Sequence, residues 1–422
     1  MMKSPETPRW PRAAWIAGIV ALTLILLAAL AALSPLRTSA IQPEPTVIQA
    51  RPVPTESIGV APYQRPEASL YVLDLNQRPQ DLLRTVSYVR VINPASQQEV
   101  TTIPARSAPN IALSADGRYL YVLDAYLSQV TTGTGVVALS IHDMQQGRLA
   151  AEITLPPTRT PYIGIPSKTE LLPTPDGSKV HVLLHDVVQG LQVVTVDTQT
   201  QQIVQDIPTR MFCDGAWLVP TSDQLVSVCG GRMTAIDLAT KQITSLPLRV
   251  ADGGQEITAM HPFWAGTTGA NPDRVYLLDT AKGATVTILG LSQQAQLAQV
   301  QLDQPADAKV ATPSFHVAPD GTRIYIGYRS AQGSGSGLSD ETIFGAESYA
   351  DHIGVFDSAT GKRVGWITLE RPVISFTISR DGRTLYGASP QAHSISAIDI
   401  ASGTTITISS IGETPLLVVP GP

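Results

Sequence analysis

The stretch Ser114-Ala-Asp-Gly-Arg-Tyr-Leu-Tyr-Val-Leu-Asp124 limits the possible folds more than any other part of the chain. An apolar run, Ile111 to Leu113, leads into it. Asp116-Gly117 supplies a tight reversal, because glycine accepts positive φ and aspartate bonds back to the backbone. A second run rich in β-branched and aromatic residues, Tyr119 to Leu123, follows the turn. This pattern is a β-hairpin, and the chain repeats it.

From Glu67 onward a turn followed by an apolar strand recurs: Leu70–Asp74, Tyr119–Asp124, Val180–His185, Leu225–Cys229, Val275–Asp279, Ile324–Tyr328 and Thr384–Gly387. Asp-Gly precedes four of these, at 116–117, 176–177, 320–321 and 381–382. With Tyr71, Tyr121, Val182, Val226, Tyr276, Tyr325 and Tyr386 as markers, the intervals are 50, 61, 44, 50, 49 and 61 residues. A further strand ending in a polar turn follows each, as in Val136–Asp143, Met233–Asp237, Ala284–Ile288, Ile353–Asp357 and Ile395–Asp399, and then a short outer strand such as Thr404–Ile408. Four strands per unit at this period predict an all-β, seven-bladed β-propeller over residues 67–422. The first unit, opening at Glu67-Ala-Ser-Leu-Tyr, lacks an inner strand, whereas the chain ends in an orphan strand, Thr414 to Pro420. Residues 415–419 are therefore expected to complete the first blade and remove two open sheet edges.

The repeats Ser114-Ala-Asp-Gly-Arg-Tyr-Leu-Tyr-Val and Ile353-Gly-Val-Phe-Asp-Ser-Ala-Thr-Gly-Lys362 resemble the YVTN-type bacterial propeller repeat, itself similar to the heavy chains of quinohemoprotein and methylamine dehydrogenases. The resemblance covers about residues 67–420 and implies a seven-bladed propeller of a kind that serves as scaffold, binding platform or, occasionally, enzyme. The chain departs from the pattern in that Asp-Gly is missing from the first, fourth and fifth units. The usual Asn after the Tyr-Val strand is also replaced by Asp74 or Asp124. The repeat carries no catalytic residue to transfer.

Ala13 to Leu33 is uncharged and rich in Ala, Leu and Ile, long enough to cross a bilayer as a helix. Lys3, Arg9 and Arg12 precede it and only Arg37 follows closely, which predicts a cytoplasmic N-terminus (1–12), a transmembrane helix (13–33) and export of the rest. Trp10 and Trp15 suit an interfacial belt. A cleaved signal peptide is the other reading, with small residues near Ser39-Ala40. The proline-rich 34–66 cannot form a core and reads as a spacer. The chain is thus expected in a bacterial cell membrane, single-pass, with its C-terminal domain outside the cytoplasm.

Net charge is −6, and residues after 66 carry 23 basic against 32 acidic side chains. An acidic domain without a Lys/Arg cluster is a poor nucleic-acid binder. Cys213 and Cys229, the only cysteines, are placed symmetrically about Thr221 in the fourth hairpin, which favours a structural disulfide over two buried thiols. His181 and His185 would sit about 13 Å apart on one strand face, too far to share a metal. His261 and His316 read as hydrogen-bonded core residues. No catalytic, cofactor-binding or metal residue is assigned, and no cofactor is expected.

The long connection Arg329–Asp351 interrupts the sixth unit between its second and third strands. Its Asp340, Glu341, Phe344, Glu347, Tyr349 and Asp351, with the adjoining His352, form a candidate binding loop. Asp124, Tyr126, His185, Asp186 and His393 fall on connections of the same type and are candidates for the channel mouth. The sequence therefore predicts a membrane-anchored extracytoplasmic binding or scaffolding module with a protein partner. An enzyme or enzyme subunit, dehydrogenase- or lactonase-like, is the alternative. A purely structural envelope protein is the third possibility.

Overall fold

The Asp-Gly turns fold as one recurring device. In blade 2 the Ser114 hydroxyl donates to Asp116 Oδ1 at 2.6 Å, and the Arg118 N–H donates to the same oxygen at 3.0 Å. Gly117 closes the turn at φ 65°, its N–H on the Ser114 carbonyl at 2.8 Å. Thr174, Asp176 and Ser178 repeat this arrangement, as do Ser379, Asp381 and Arg383. The hairpins joining third to fourth strands use an Asx turn instead: Asp143, Asp197 and Asp357 each accept two backbone N–H groups from the following residues.

The computed structural model describes residues 69–76, 86–105, 110–129, 134–156, 171–186, 190–211, 213–219, 222–229, 232–247, 264–266, 271, 273–279, 284–330, 349–409 and 411–421. The expected membrane helix 13–33 and spacer 34–66 lie outside them. Among the described residues no helix is long and apolar enough to cross a membrane. The strands form seven antiparallel four-stranded sheets. Blades 2 to 7 each use four consecutive strands: blade 4 is Cys213–Leu218, Gln224–Cys229, Arg232–Asp237 and Ile243–Pro247, and blade 6 is Ala308–Val317, Arg323–Ser330, Ala350–Asp357 and Arg363–Val373.

Blade 1 draws on both ends of the chain. Leu70–Asn76, Val86–Asn93 and Gln98–Ala105 supply three strands, and Pro415–Pro420 pairs antiparallel with Leu70–Asn76 as the innermost. A buried carboxylate holds the junction: Asp74 accepts the Thr414 N–H at 2.7 Å and the Arg90 Nε–H at 2.8 Å. Gly412 lies so close that a Cβ there would meet the Asp74 carboxylate at 1.8 Å. The Ser375 hydroxyl of blade 7 donates to the Leu416 carbonyl.

Seven apolar clusters hold the blades together, and each is shared by two neighbours. Tyr121 and Leu139 of blade 2 pack with Val180 and Val182 of blade 3. Ile326 and Phe356 of blade 6 pack with Leu278 and Val286 of blade 5. One cluster unites Leu70 and Val72 of blade 1, Leu416 and Val418 of its C-terminal strand, and Ile374 and Ile395 of blade 7. The ring closes through the same kind of face-to-face burial that joins every other pair, at about 1.5–3 kcal/mol per buried aliphatic side chain.

This strand order sorts the connections by face. Turns between strands one and two, and between three and four, emerge on one face. Connections between strands two and three, and between blades, emerge on the other.

Candidate functional site

On the second of these faces, blade 6 departs from the repeat. Its second strand runs to Ser330 and its third begins at Ala350. Ala350 pairs with Val373 and His352 with Thr368, and the register shifts between them. Adjacent strand residues normally point to opposite sides. The irregularity at Asp351 brings its carboxylate and the His352 ring together, Oδ1 to Nδ1 at 2.7 Å. The Ser330 hydroxyl donates to Asp351 Oδ2 at 2.7 Å and the Ser330 N–H to Oδ1 at 3.0 Å.

Burial by itself raises the Asp351 carboxyl, but hydrogen bonds from His352 and Ser330 and the nearby imidazole charge outweigh it, and the net shift is downward. An ionised carboxylate only accepts, so His352 donates to it through Nδ1–H. Both side chains are 22% exposed. The Ser330 hydroxyl is thus paired with the Asp351 carboxylate.

Aromatic rings extend this pair across the sheet. His352 lies 5.2 Å from the Trp366 ring and Tyr328 lies 5.3 Å from it on the outer strand, with Phe356 6.1 Å from Tyr328. Gly354 makes room, since a Cβ there would come within 2.8 Å of both Phe356 and Tyr328. The Arg363 guanidinium sits 5.6 Å from the Trp366 centroid. Tyr328 is fully buried, and burial raises its hydroxyl pKa. Trp366 is 36% exposed and Val364, two residues before it, 52%. A carboxylate-oriented imidazole and an accessible indole thus stand together at the base of the long connection.

The other candidate residues disperse. Tyr349 is buried in the cluster between blades 7 and 1 and anchors the end of the connection in the core. Asp124 is also buried, 3% exposed, and accepts the Ser140 hydroxyl at 3.0 Å. His393 takes φ 50° after the 3-10 turn Pro390–Ala392, with Nδ1 2.5 Å from the Glu413 carbonyl. Asp340, Glu341, Phe344 and Glu347 lie outside the described residues, as do the side chains of Tyr126, His185 and Asp186. Cys213 and Cys229 are joined by a disulfide. Among the described residues no three His, Cys, Asp or Glu side chains are grouped to hold a metal ion. His181 Nδ1 meets the Thr195 hydroxyl at 2.9 Å, and His316 packs 5.0 Å from Phe376.

No family model matches the sequence, and no curated protein matches it. Solved structures do. A "putative 6-phosphogluconolactonase" from Bacteroides fragilis NCTC 9343 aligns at TM-score 0.53 and 15% identity, covering 88% of this chain and 99% of that one. A functionally unknown protein from Desulfotomaculum acetoxidans DSM 771 aligns at TM-score 0.52 and 12% identity, covering 84% and 99%. The dihydro-heme d1 dehydrogenase NirN aligns at TM-score 0.48 and 13% identity, and the match covers 83% of this chain but 66% of NirN. The likeness shows the fold. Neither Trp366 nor the pairing of Asp351 with His352 follows from the spacing of residues in the sequence.

Proposed function

We propose that this propeller is a binding or scaffolding module that recognises a protein partner through the face bearing the Arg329–Asp351 connection. The YVTN-like repeat serves as the frame, and residues 13–33 and 34–66 tether it to a membrane. The observation that carries this reading is the cluster of Asp351, His352 and Trp366 at the base of that connection. Exposed Trp and Arg beside a polar pair match the composition of protein-recognition hot spots. The test is purification of the full chain from membranes in mild detergent beside a His352→Ala, Trp366→Ala variant, with bound proteins identified by mass spectrometry. A stoichiometric partner lost from the variant supports the proposal. A partner retained in full by the variant contradicts the assigned surface.

One observation favours a second reading, in which the site belongs to an enzyme. An imidazole held through Nδ1 by a carboxylate is the arrangement of a general base. A small molecule co-purifying with the chain and consumed in a reaction abolished by His352→Ala would move the conclusion there.

A further inference from the structure

Three residues after their second-strand markers, blades 1, 4 and 7 place different chemistry at one structural position. After Tyr71 it is Asp74, after Val226 it is Cys229, and after Tyr386 it is Ser389. Each grips the chain where it enters the innermost strand of its own blade. Asp74 accepts the Thr414 N–H, Cys229 is bonded to Cys213, and the Ser389 hydroxyl donates to the Pro372 carbonyl at 2.7 Å. The backbone supports the equivalence. Asp74 faces Pro415 across a register shift, and Cys229 faces Cys213 across a shift at the same place. The disulfide is therefore the covalent counterpart of the blade 1 carboxylate, and redox chemistry acts only on the blade 4 version.

Its location gives this a consequence. The segment just before Cys213 is laced to blade 3: the Leu191 N–H donates to the Met211 carbonyl at 2.7 Å, and the Thr209 hydroxyl donates to the Leu191 carbonyl at 2.6 Å. Gly190, at φ 81°, packs against Met211 where a Cβ would meet backbone at 2.5 Å. The disulfide then ties the continuation of that segment to the second strand of blade 4. At the junction of blades 3 and 4, the Gln205 side-chain amide of blade 3's outer strand donates to the Leu238 carbonyl of blade 4. Blade 3's innermost strand is only Leu171–Pro173. The two blades also share one apolar cluster, which includes Leu191, Val193, Leu225, Ile236 and both cysteines, with the disulfide inside blade 4 at its loop-bearing end.

The geometry points to a redox-operated seam between blades 3 and 4. A dithiol reductant attacks one sulfur, forms a mixed disulfide and resolves it with its second thiol. Two electrons and two protons pass to the protein, leaving two thiols and an oxidised dithiol. The thiols find acceptors nearby: Cys213 Sγ lies 3.7 Å from the Met211 carbonyl oxygen and Cys229 Sγ 3.6 Å from the Ser227 hydroxyl. Reduction loosens the entry to blade 4 on the loop-bearing face while the Asp74 and Ser389 grips persist. The ring stays closed and one seam opens.

The test is amide hydrogen exchange on the full chain before and after dithiothreitol, with reduction verified by alkylation and mass. Reduction is expected to speed exchange on the order of tenfold in Gly190–Asp197 and Cys213–Leu218, leaving blades 1 and 7 unchanged. A Cys213→Ala, Cys229→Ala variant should match the reduced protein. A Cys213→Ala, Cys229→Asp variant, which installs the blade 1 carboxylate, should stay slower than the double alanine and ignore dithiothreitol. Unchanged exchange after complete reduction, a rise shared by all seven blades, or a disulfide that resists dithiothreitol in the folded protein would each overturn the proposal.

Discussion

The two faces of the ring are built by opposite rules. On the turn face, aspartates do the same work blade after blade: Asp116, Asp176 and Asp381 each accept a hydroxyl and an N–H within a few residues. On the loop-bearing face blades 1, 4 and 7 grip the entry to their innermost strands differently, with a carboxylate, a disulfide sulfur and a serine hydroxyl at one position. Local repeated chemistry specifies the scaffold. The departures from it hold the chemistry that distinguishes this propeller from another.

Removing the C-terminal strand is expected to have the largest effect. Deleting residues 414–422 leaves Leu70–Asn76 as an open edge and removes Leu416 and Val418 from the junction of blades 7 and 1. The melting temperature should fall by at least about 10 °C, or cooperative unfolding should disappear. A fall of a degree or two by scanning calorimetry would show that the strand does not close the ring.

Single carboxylates separate the faces next. Asp74→Ala strands the buried Thr414 N–H and leaves the Arg90 guanidinium with Glu99 alone, and is expected to cost about 2–3 kcal/mol in denaturant unfolding. Asp381→Ala removes an exposed turn acceptor and should cost about 1 kcal/mol or less. Equal costs would mean the two faces are not built differently.

pH sharpens the comparison further. Burial lowers the pKa of His142 to about 4, and burial followed by the charge of Lys179 does the same to His181. Below pH 6.5 the unfolded chain takes up these protons and the folded one does not, so stability falls as pH drops from about 6.5 to 4. Each histidine can cost up to about 3 kcal/mol over that interval. His142→Leu should flatten the decline, and an unaltered pH profile would contradict it. The turn-face aspartates act lower. Hydrogen bonds from Thr174 and Ser178 hold the Asp176 pKa at about 2, so its contribution is present above its ordinary range and lost as pH falls from about 4 to 2.

Much of the frame was legible because it is local. The Asp-Gly turns, the alternation in Tyr119–Asp124 and the spare strand at 415–419 each express a short-range rule. The cysteine pair could be placed from the midpoint of a hairpin. The candidate site was less legible, because it depends on a register shift. Nothing in Ala350-Asp-His-Ile353 announces that Asp351 and His352 will share a side of the sheet, and Trp366 joins them from the outer strand only through strand pairing. The equivalence of Asp74, Cys229 and Ser389 was countable from the markers, but its meaning required knowing what each one grips.

The smallest effect on stability belongs to the candidate site, and it offers the most direct test. Full-length protein carrying His352→Ala and Trp366→Ala should melt within a few degrees of the parent, because both side chains are partly exposed. An Asp116→Ala, Asp381→Ala control on the turn face should melt lower. The decisive measurement is stoichiometric partner recovery from membranes by the parent and both variants. The account predicts that the partner is lost from the loop-face variant and kept by the turn-face variant. Retention by the loop-face variant, or equal loss from both, would contradict it.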